Sequence, residues 1–433
     1  CASRAPRAPA PPGPPARGAA GGEVAPARAA RTFAGGRVVR VALAEGVARP
    51  RVGAEGAWAI VAGETGETLL RGAALDAVTI ERRGAELRAL GPAGGTSWRR
   101  GPLVLRALGG QPVVALGGRR YRGELWMHAA AGGGVTVVDR VPAEAYLRGV
   151  LPLELAGERP DDEAARQAQA VAARSYTYSR LAEFLPRAAA VARAQAPFDL
   201  RATVADQVYG GVAVERASAD RAIVATAGLV LRYDGAIASA PYHSACGGST
   251  AAADEVWGAE RAPYLRAVRD VAPDGRAYCA DAPRFTWTRT WDAADLDAVL
   301  ARYLRQNAAR DAGGPPDGAP GAARGVDLLG RTPSGRNAAV AVRTEAGRYL
   351  LRGNAIRFAL RTRGGDILPS TYFSASTEGD GTGRIARLVV RGGGNGHGVG
   401  MCQWGAIGRA RAGQDFRAIL RTYYPGTTVE LVD

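Results

Sequence analysis

The sequence predicts an α+β protein: an antiparallel β-rich N-terminal subdomain followed by a mixed α/β body. From about Gly35, short runs of alternating apolar residues are broken by Gly, Pro and polar turns roughly every 8 to 12 residues, as in antiparallel sheets. One long Ala-rich stretch after Pro160 has helical composition, and beyond it strand-like and helix-like stretches alternate. With 47% hydrophobic residues the chain is not globally disordered. No apolar run approaches the roughly 18 residues of a membrane helix.

Taken in order, residues 1–34 are rich in Pro, Ala, Gly and Arg and nearly free of large apolar side chains, so they read as an extended tether. Residues 35–140 supply the β-rich part, with runs such as RVVRVALA and GVTVVDRV. Residues 141–310 form the core of the body, where a loop bearing Glu154 precedes the helix that opens at Pro160. Pro suits a first helical turn, and Asp161, Asp162 and Glu163 set negative charge at its positive end. Ala168, Val171, Ala172 and Ser175 fall on one face, small enough for close packing, and Gln169 reads as a structural hydrogen-bonding group. A second helix is expected near 292–309, and 311–325 reads as a flexible insertion. Residues 326–433 carry strands, a helix near 354–360, a strand near 385–391, a Gly-rich turn and a last helix near 415–424.

The net charge of +15 comes from 56 basic residues, and every one of them is Arg. Such a bias, with 59 Gly and 26 Pro, reflects GC-rich codons as much as function, so nucleic acid is not an expected partner. Cys1 followed by a tether is similar to a bacterial lipoprotein after signal-peptide removal. Lipidation at Cys1 would hold the protein extracytoplasmically on a membrane, and Ala2 in place of Asp matches an outer-membrane address.

His243 and Cys246 have metal-ligand spacing, and Cys279 and Cys402 offer further soft ligands. A structural zinc on these four is one reading; a disulfide between two of the three cysteines is the other. A Cys402 thiolate beside His397 is a third. GGGNGHGVG contains neither GxGxxG nor GK[ST], which excludes both nucleotide-phosphate loops. Trp257, Trp404, Tyr242 and Tyr423 are candidates to stack on sugar rings, with core packing as the alternative.

Several blocks together carry a specific resemblance: Val141–Glu154, Ala168–Thr177, Tyr242–Gly248, Gly396–Ala406 and Tyr423–Thr427, with RTPSGR at 331–336 and ILPSTYF at 367–373. The chain from about residue 36 onward resembles the SpoIID/LytB domain family. It departs from the family pattern at Leu155-Ala156 and in the spacing between Glu154 and Arg174.

The resemblance implies a lytic transglycosylase that cleaves peptidoglycan glycan strands and leaves 1,6-anhydro ends, with no cofactor required for the chemistry. Glu154 is its implied catalytic residue. Apolar Leu151, Leu153 and Leu155 around it favour a protonated carboxyl group. Glu144 sits in the family's structural acidic position, and Glu158 lies in the departing stretch. Arg174 is expected to hold a lactyl or acetamido oxygen, and Tyr176, Tyr242, His397, Gln403 and Tyr423 to contact the glycan. Zinc near the YHS block is also found in some family members. The alternative function is a non-catalytic peptidoglycan-binding protein that enhances a cell-wall amidase. A generic basic envelope protein holding anionic wall polymers is the third reading.

Overall fold

A computed structural model describes residues 36–432, apart from 75, 93, 110–111, 156–158, 259–261 and 312–319. The tether with Cys1, the carboxylate of Glu158 and most of the expected insertion therefore lie outside the described residues. Among the described residues no helix is long and apolar enough to cross a membrane.

The N-terminal part is two seven-stranded sheets. One runs in the order Leu200–Arg201, Val38–Val47, Val135–Pro142, Glu124–Ala129, Leu103–Ala107, Trp58–Ala62 and Thr68–Gly72. All its pairings are antiparallel except the first, where Val41 pairs with Leu200. The other sheet is built around Arg51–Ala54, Val78–Arg83 and Glu86–Gly91. Period-two patterning decides which face is inside: Leu125 and Met127 are buried while Trp126 and His128 are not. The inner faces of both sheets contribute to one core containing Trp58, Ile60, Ile80, Leu87, Leu105 and Leu125.

That core continues into the α/β body. Strand Val135–Pro142 runs directly into helix Ala143–Glu154, whose first N–H donates to Arg37 O at 2.8 Å. Tyr146, Leu147, Val150 and Leu151 bury one stripe of this helix against the sheets. Pro152 lacks an N–H and so weakens the last turn, and the backbone becomes extended at Leu155. Glu154 is thus the last residue of a helix, where a loop was expected.

Helix Glu163–Tyr178 forms as expected, preceded by a 3₁₀ turn at Pro160–Asp162. It buries two faces rather than one. Ala170 and Ala173 join the sandwich core, while Ala165, Ala168, Val171 and Ala172 join a second core with Met401, Ile407, Ile419 and Leu420. Alanine on both sides lets a central helix be approached closely from either direction. Gln169 is fully buried with it, yet neither amide atom has a partner among the described residues.

A third core surrounds Trp291, Leu300, Val340, Tyr349 and Leu388. Here strand Thr286–Asp292 pairs with Ile385–Gly393, and helix Ala293–Asp311 contributes Leu296, Leu300 and Leu304. Elements on both sides of the expected insertion therefore share one sheet and one core. Short helices at Ala355–Ala359 and Phe416–Tyr423 match the expected ones. The Gly-rich turn is followed by one that was not expected, Gln403–Arg411.

Candidate active site

Four stretches far apart in sequence meet around Glu154. The helix end presents the carboxylate. The loop after Thr203 brings Val208, whose N–H donates to Glu154 Oε1 at 3.1 Å. The Gly-rich turn ends in Gln403, whose Nε2 donates to Oε2 at 3.4 Å. The fourth stretch is strand Tyr242–His243, which pairs in parallel with Met401–Cys402. This pairing is close enough to require glycine in two places: a Cβ on Gly400 would fall 2.0 Å from Pro241 O, and one on Gly396 2.6 Å from His243 Cβ. Both have positive φ, which glycine adopts without strain.

Burial raises the Glu154 carboxyl above its ordinary value; the Val208 and Gln403 donors act the other way but only in part. Gln207, the neighbour of Val208, and Tyr242 line a cavity of about 620 Å³ together with Tyr176, Arg180, Asp206 and His397, among others, while Glu154 itself is not part of the lining. That size falls within the usual range for small-ligand sites. Trp257 stands at its rim, 41% exposed. His397 packs its ring 5.2 Å from that of Trp257 and accepts the Val399 N–H on Nδ1 at 3.1 Å. Burial, with Arg357 and Arg336 nearby, pulls its pKa down to about 4, so near neutral pH the ring is uncharged with Nε2 protonated.

A network not foreseen in the sequence holds this wall together. Gln207 Oε1 accepts from Thr177 Oγ1 at 2.9 Å and from the Tyr146 hydroxyl at 3.2 Å, and its Nε2 donates to Tyr242 Oη at 2.9 Å. Tyr176 Oη donates to Asp206 at 2.9 Å and receives Arg180 at 3.2 Å. The DQVYGG string was the available signal for Asp206 and Gln207, but nothing in spacing ties it to Glu154.

Three expected site residues lie elsewhere. Arg174 is fully buried, with Nε and Nη2 on the two oxygens of Glu144 at 2.6 and 2.8 Å and Nη1 on Leu229 O at 3.0 Å. It fixes the two helices to each other and has no face left for a sugar; Arg180 is the guanidinium that borders the cavity. Tyr423 is buried and donates to Asp270 Oδ2 at 2.9 Å, so it stacks on nothing outside. His243 is not grouped with the cysteines. Its Nδ1 contacts Val399 O at 3.1 Å and its ring lies 5.5 Å from that of His397. Asp270 takes the fourth place beside Cys246, Cys279 and Cys402, all four buried with their ligand atoms within 4.8 Å of one another. Cys402 is therefore part of that cluster and no exposed nucleophile.

A family model described as Stage II sporulation protein, SpoIID, matches residues 131–233, the stretch holding Glu154, the Arg174 helix and Gln207. A second, described as a domain of unknown function, DUF8618, matches residues 275–400. Among similar proteins, an uncharacterized protein of Brachyspira hyodysenteriae is 29% identical over 324 residues, covering 75% of each chain. The amidase enhancer of Bacillus subtilis is 29% identical over 315 residues, 65% of this chain; that stretch is only 40% of the enhancer's length. Stage II sporulation protein D of the same organism is 26% identical over 303 residues, covering 68% of this chain and 76% of its own.

Proposed function

As the chain belongs to the SpoIID/LytB family, with a role at the cell wall, we propose that it is a lytic transglycosylase acting on peptidoglycan glycan strands. The observation that carries this reading is the Glu154 carboxyl, desolvated, pushed above its ordinary value and held by Val208, whose neighbour Gln207 lines a cavity walled by aromatic and amide side chains. A carboxyl group held protonated by burial is suited to general-acid work near neutral pH.

In this reading Glu154 protonates the glycosidic oxygen as its bond to C1 of N-acetylmuramic acid breaks. The resulting carboxylate then accepts the proton of the same sugar's C6 hydroxyl, whose oxygen bonds to C1. The product is a 1,6-anhydro end, no water is consumed, and one carboxyl group serves twice. Hydrolytic glycosidases ordinarily need a second carboxylate to supply a nucleophile or activate water. Tyr176, Tyr242 and His397 line the cavity as glycan contacts, Arg180 offers a fork to a lactyl or acetamido oxygen, and Trp257 offers a stacking face. Gln403 and Val208 act on Glu154 itself and are positioning groups. An extracytoplasmic location would bring this site to its substrate.

The test is incubation of the protein and of Glu154→Gln with denuded and with intact glycan strands, followed by mass spectrometry. Wild type should release 1,6-anhydromuramic ends, and the variant should lose roughly 100-fold or more of the rate. Reducing ends in place of anhydro ends, or no product from wild type on either substrate, would sink the reading. The similarity to a protein named amidase enhancer supports a second one, a wall-binding partner of an amidase. It predicts that Glu154→Gln stimulates amidase digestion as well as wild type does.

A further inference from the structure

We propose that the groove beside Tyr372, on the outer face of strands Thr286–Asp292, Ile385–Gly393 and Phe373–Gly379, is a second glycan-binding surface that holds N-acetylhexosamine units of a strand outside the Glu154 site. Its ligand follows from the peptidoglycan substrate of the proposed function and does not depend on cleavage. The groove has a volume of about 990 Å³ and shares no lining residue with the cavity at Tyr242 and His397. It forms where stretches that the proposed chemistry leaves unused converge: Arg331 and Gly335 of RTPSGR, Tyr372 and Phe373 of ILPSTYF, Gly247 after YHSAC, and Gly393 ahead of His397.

The sheet's period of two sets what faces the groove. Trp287 and Phe373 turn inward to the third core. That leaves Thr288, Arg391 and Ser374 in register on the outer face, with Arg391 directly opposite each of the other two. All three are exposed. Tyr372 ends this row. Glycines back its ring, since a Cβ at Gly335, Gly393 or Gly247 would fall 3.2, 3.3 or 3.4 Å from it. Its carbonyl accepts the Gly393 N–H at 2.9 Å and its N–H donates to Ser370 Oγ at 3.1 Å. The backbone is thus fixed while the residue stays 38% exposed.

These groups match a pyranose. An exposed aromatic face takes the C–H face of a sugar ring. Thr and Ser hydroxyls exchange hydrogen bonds with sugar hydroxyls, and a guanidinium fork suits a planar acetamido oxygen. No acidic side chain lines the groove, and neither Arg331 nor Arg391 has a carboxylate partner among the described residues. Arg331 Nη1 donates to Gly335 O at 3.1 Å, which sets its guanidinium close to the Tyr372 ring. No strongly exposed aliphatic side chain lines the groove, so a protein partner would find no apolar patch to bury there.

The two surfaces are joined through the chain. Asn395 pairs with Ala245, so the stretch from Gly393 to His397 lies against the stretch from Tyr242 to Gly247. One end of each stretch lines the groove and the other lines the cavity. A strand long enough to reach both is held at two points, which raises the effective concentration of its sugars at Glu154.

The test uses the whole chain carrying Glu154→Gln, with a hexamer of N-acetylglucosamine bearing a photoactivatable diazirine as probe. Crosslinked peptides mapped by mass spectrometry should include those holding Tyr372 and Arg391 as well as those lining the cavity. Tyr372→Ala and Arg391→Ala should each cut labelling of the groove roughly tenfold, about the loss of one stacking or charge-assisted contact, and leave labelling of the cavity unchanged. Arg391 is exposed, so its variant reports binding without disturbing the core, and Tyr372→Phe, which keeps the ring, should label as fully as tyrosine. Label confined to the cavity, or groove labelling indifferent to both alanine substitutions, would overturn the proposal. So would sedimentation that finds a dimer which these substitutions dissociate, because the groove would then be an interface between copies. Groove labelling together with no anhydro product from wild type would support the second surface and remove the cleavage reading alone.

Discussion

At Glu154, desolvation and hydrogen bonding oppose each other, and burial wins. The native carboxyl therefore holds its proton to higher pH than the unfolded chain does. Stability falls as pH rises from the ordinary carboxylate range through the raised value, and Glu154→Gln abolishes that loss. For catalysis the same shift keeps the acid form available on the alkaline side. Gln403→Ala removes one donor to the carboxylate, so the pKa moves further up. The alkaline limb of kcat/KM for anhydro-product release should then move to higher pH; a limb that stays put or moves down contradicts the positioning role. Resemblance to the family's sequence blocks, rather than spacing, singled out Glu154, Tyr242, His397 and Gln403. The sequence could not show that Arg174 faces inward to Glu144 while Arg180, just past the end of that helix, borders the cavity. That choice depends on what packs against each side of the helix, and two cores pack against this one.

Among the elements, the helix Ala143–Glu154 aims the carboxylate, and its register is set by close contact with the Gln207–Gly211 segment. Gly149 O accepts the Gly210 N–H at 2.9 Å. A Cβ on Gly149 would lie 2.4 Å from Tyr209 Cε2 and 3.1 Å from Gly211 N. Gly149→Ala must therefore push this segment away and take the Val208 N–H off Glu154. We expect a loss of about 1–3 kcal/mol in stability together with reduced turnover, measured by thermal melts and product release. Gly132→Ala, where a Cβ meets nothing within 4 Å, is the control, and equal behaviour of the two variants would refute the contact. The helix itself was concealed in the sequence by Pro152, which reads as a breaker; it falls in the last turn, where a missing bond costs little because the helix is about to end. Helix Gln403–Arg411 was concealed by its glycines. Gly405 is required there, since a Cβ would meet Asp270 Oδ2 and Tyr423 Oη, both at 2.2 Å.

Over the whole molecule, the last strand closes a small sheet against the first helices. Thr428–Leu431 pairs antiparallel with Leu229–Arg232, whose Leu229 carbonyl accepts from Arg174 and whose Leu231 N–H donates to Ser175 Oγ at 2.8 Å. A chain ending at Gly426 leaves that strand unpaired on one side and should melt at lower temperature than the full chain; an unchanged midpoint would show that the sheet edge is dispensable. The pattern of apolar residues by itself determined the β-rich start, the long Ala-rich helix and the α+β class, because burial of one face imposes a period of 2 or 3.6 on the chain. Blocks of Gly, His, Glu and aromatic residues likewise marked the stretches that build the site. Only the tertiary structure decided which side chains meet: Glu154 with Val208 and Gln403, Arg174 with Glu144, and Asp270, not His243, with the three cysteines. Apart from the pair Asp270 and Cys279, those contacts join residues from 24 to 249 positions apart. No local periodicity encodes such distances, since they follow from how separately patterned faces pack into shared cores.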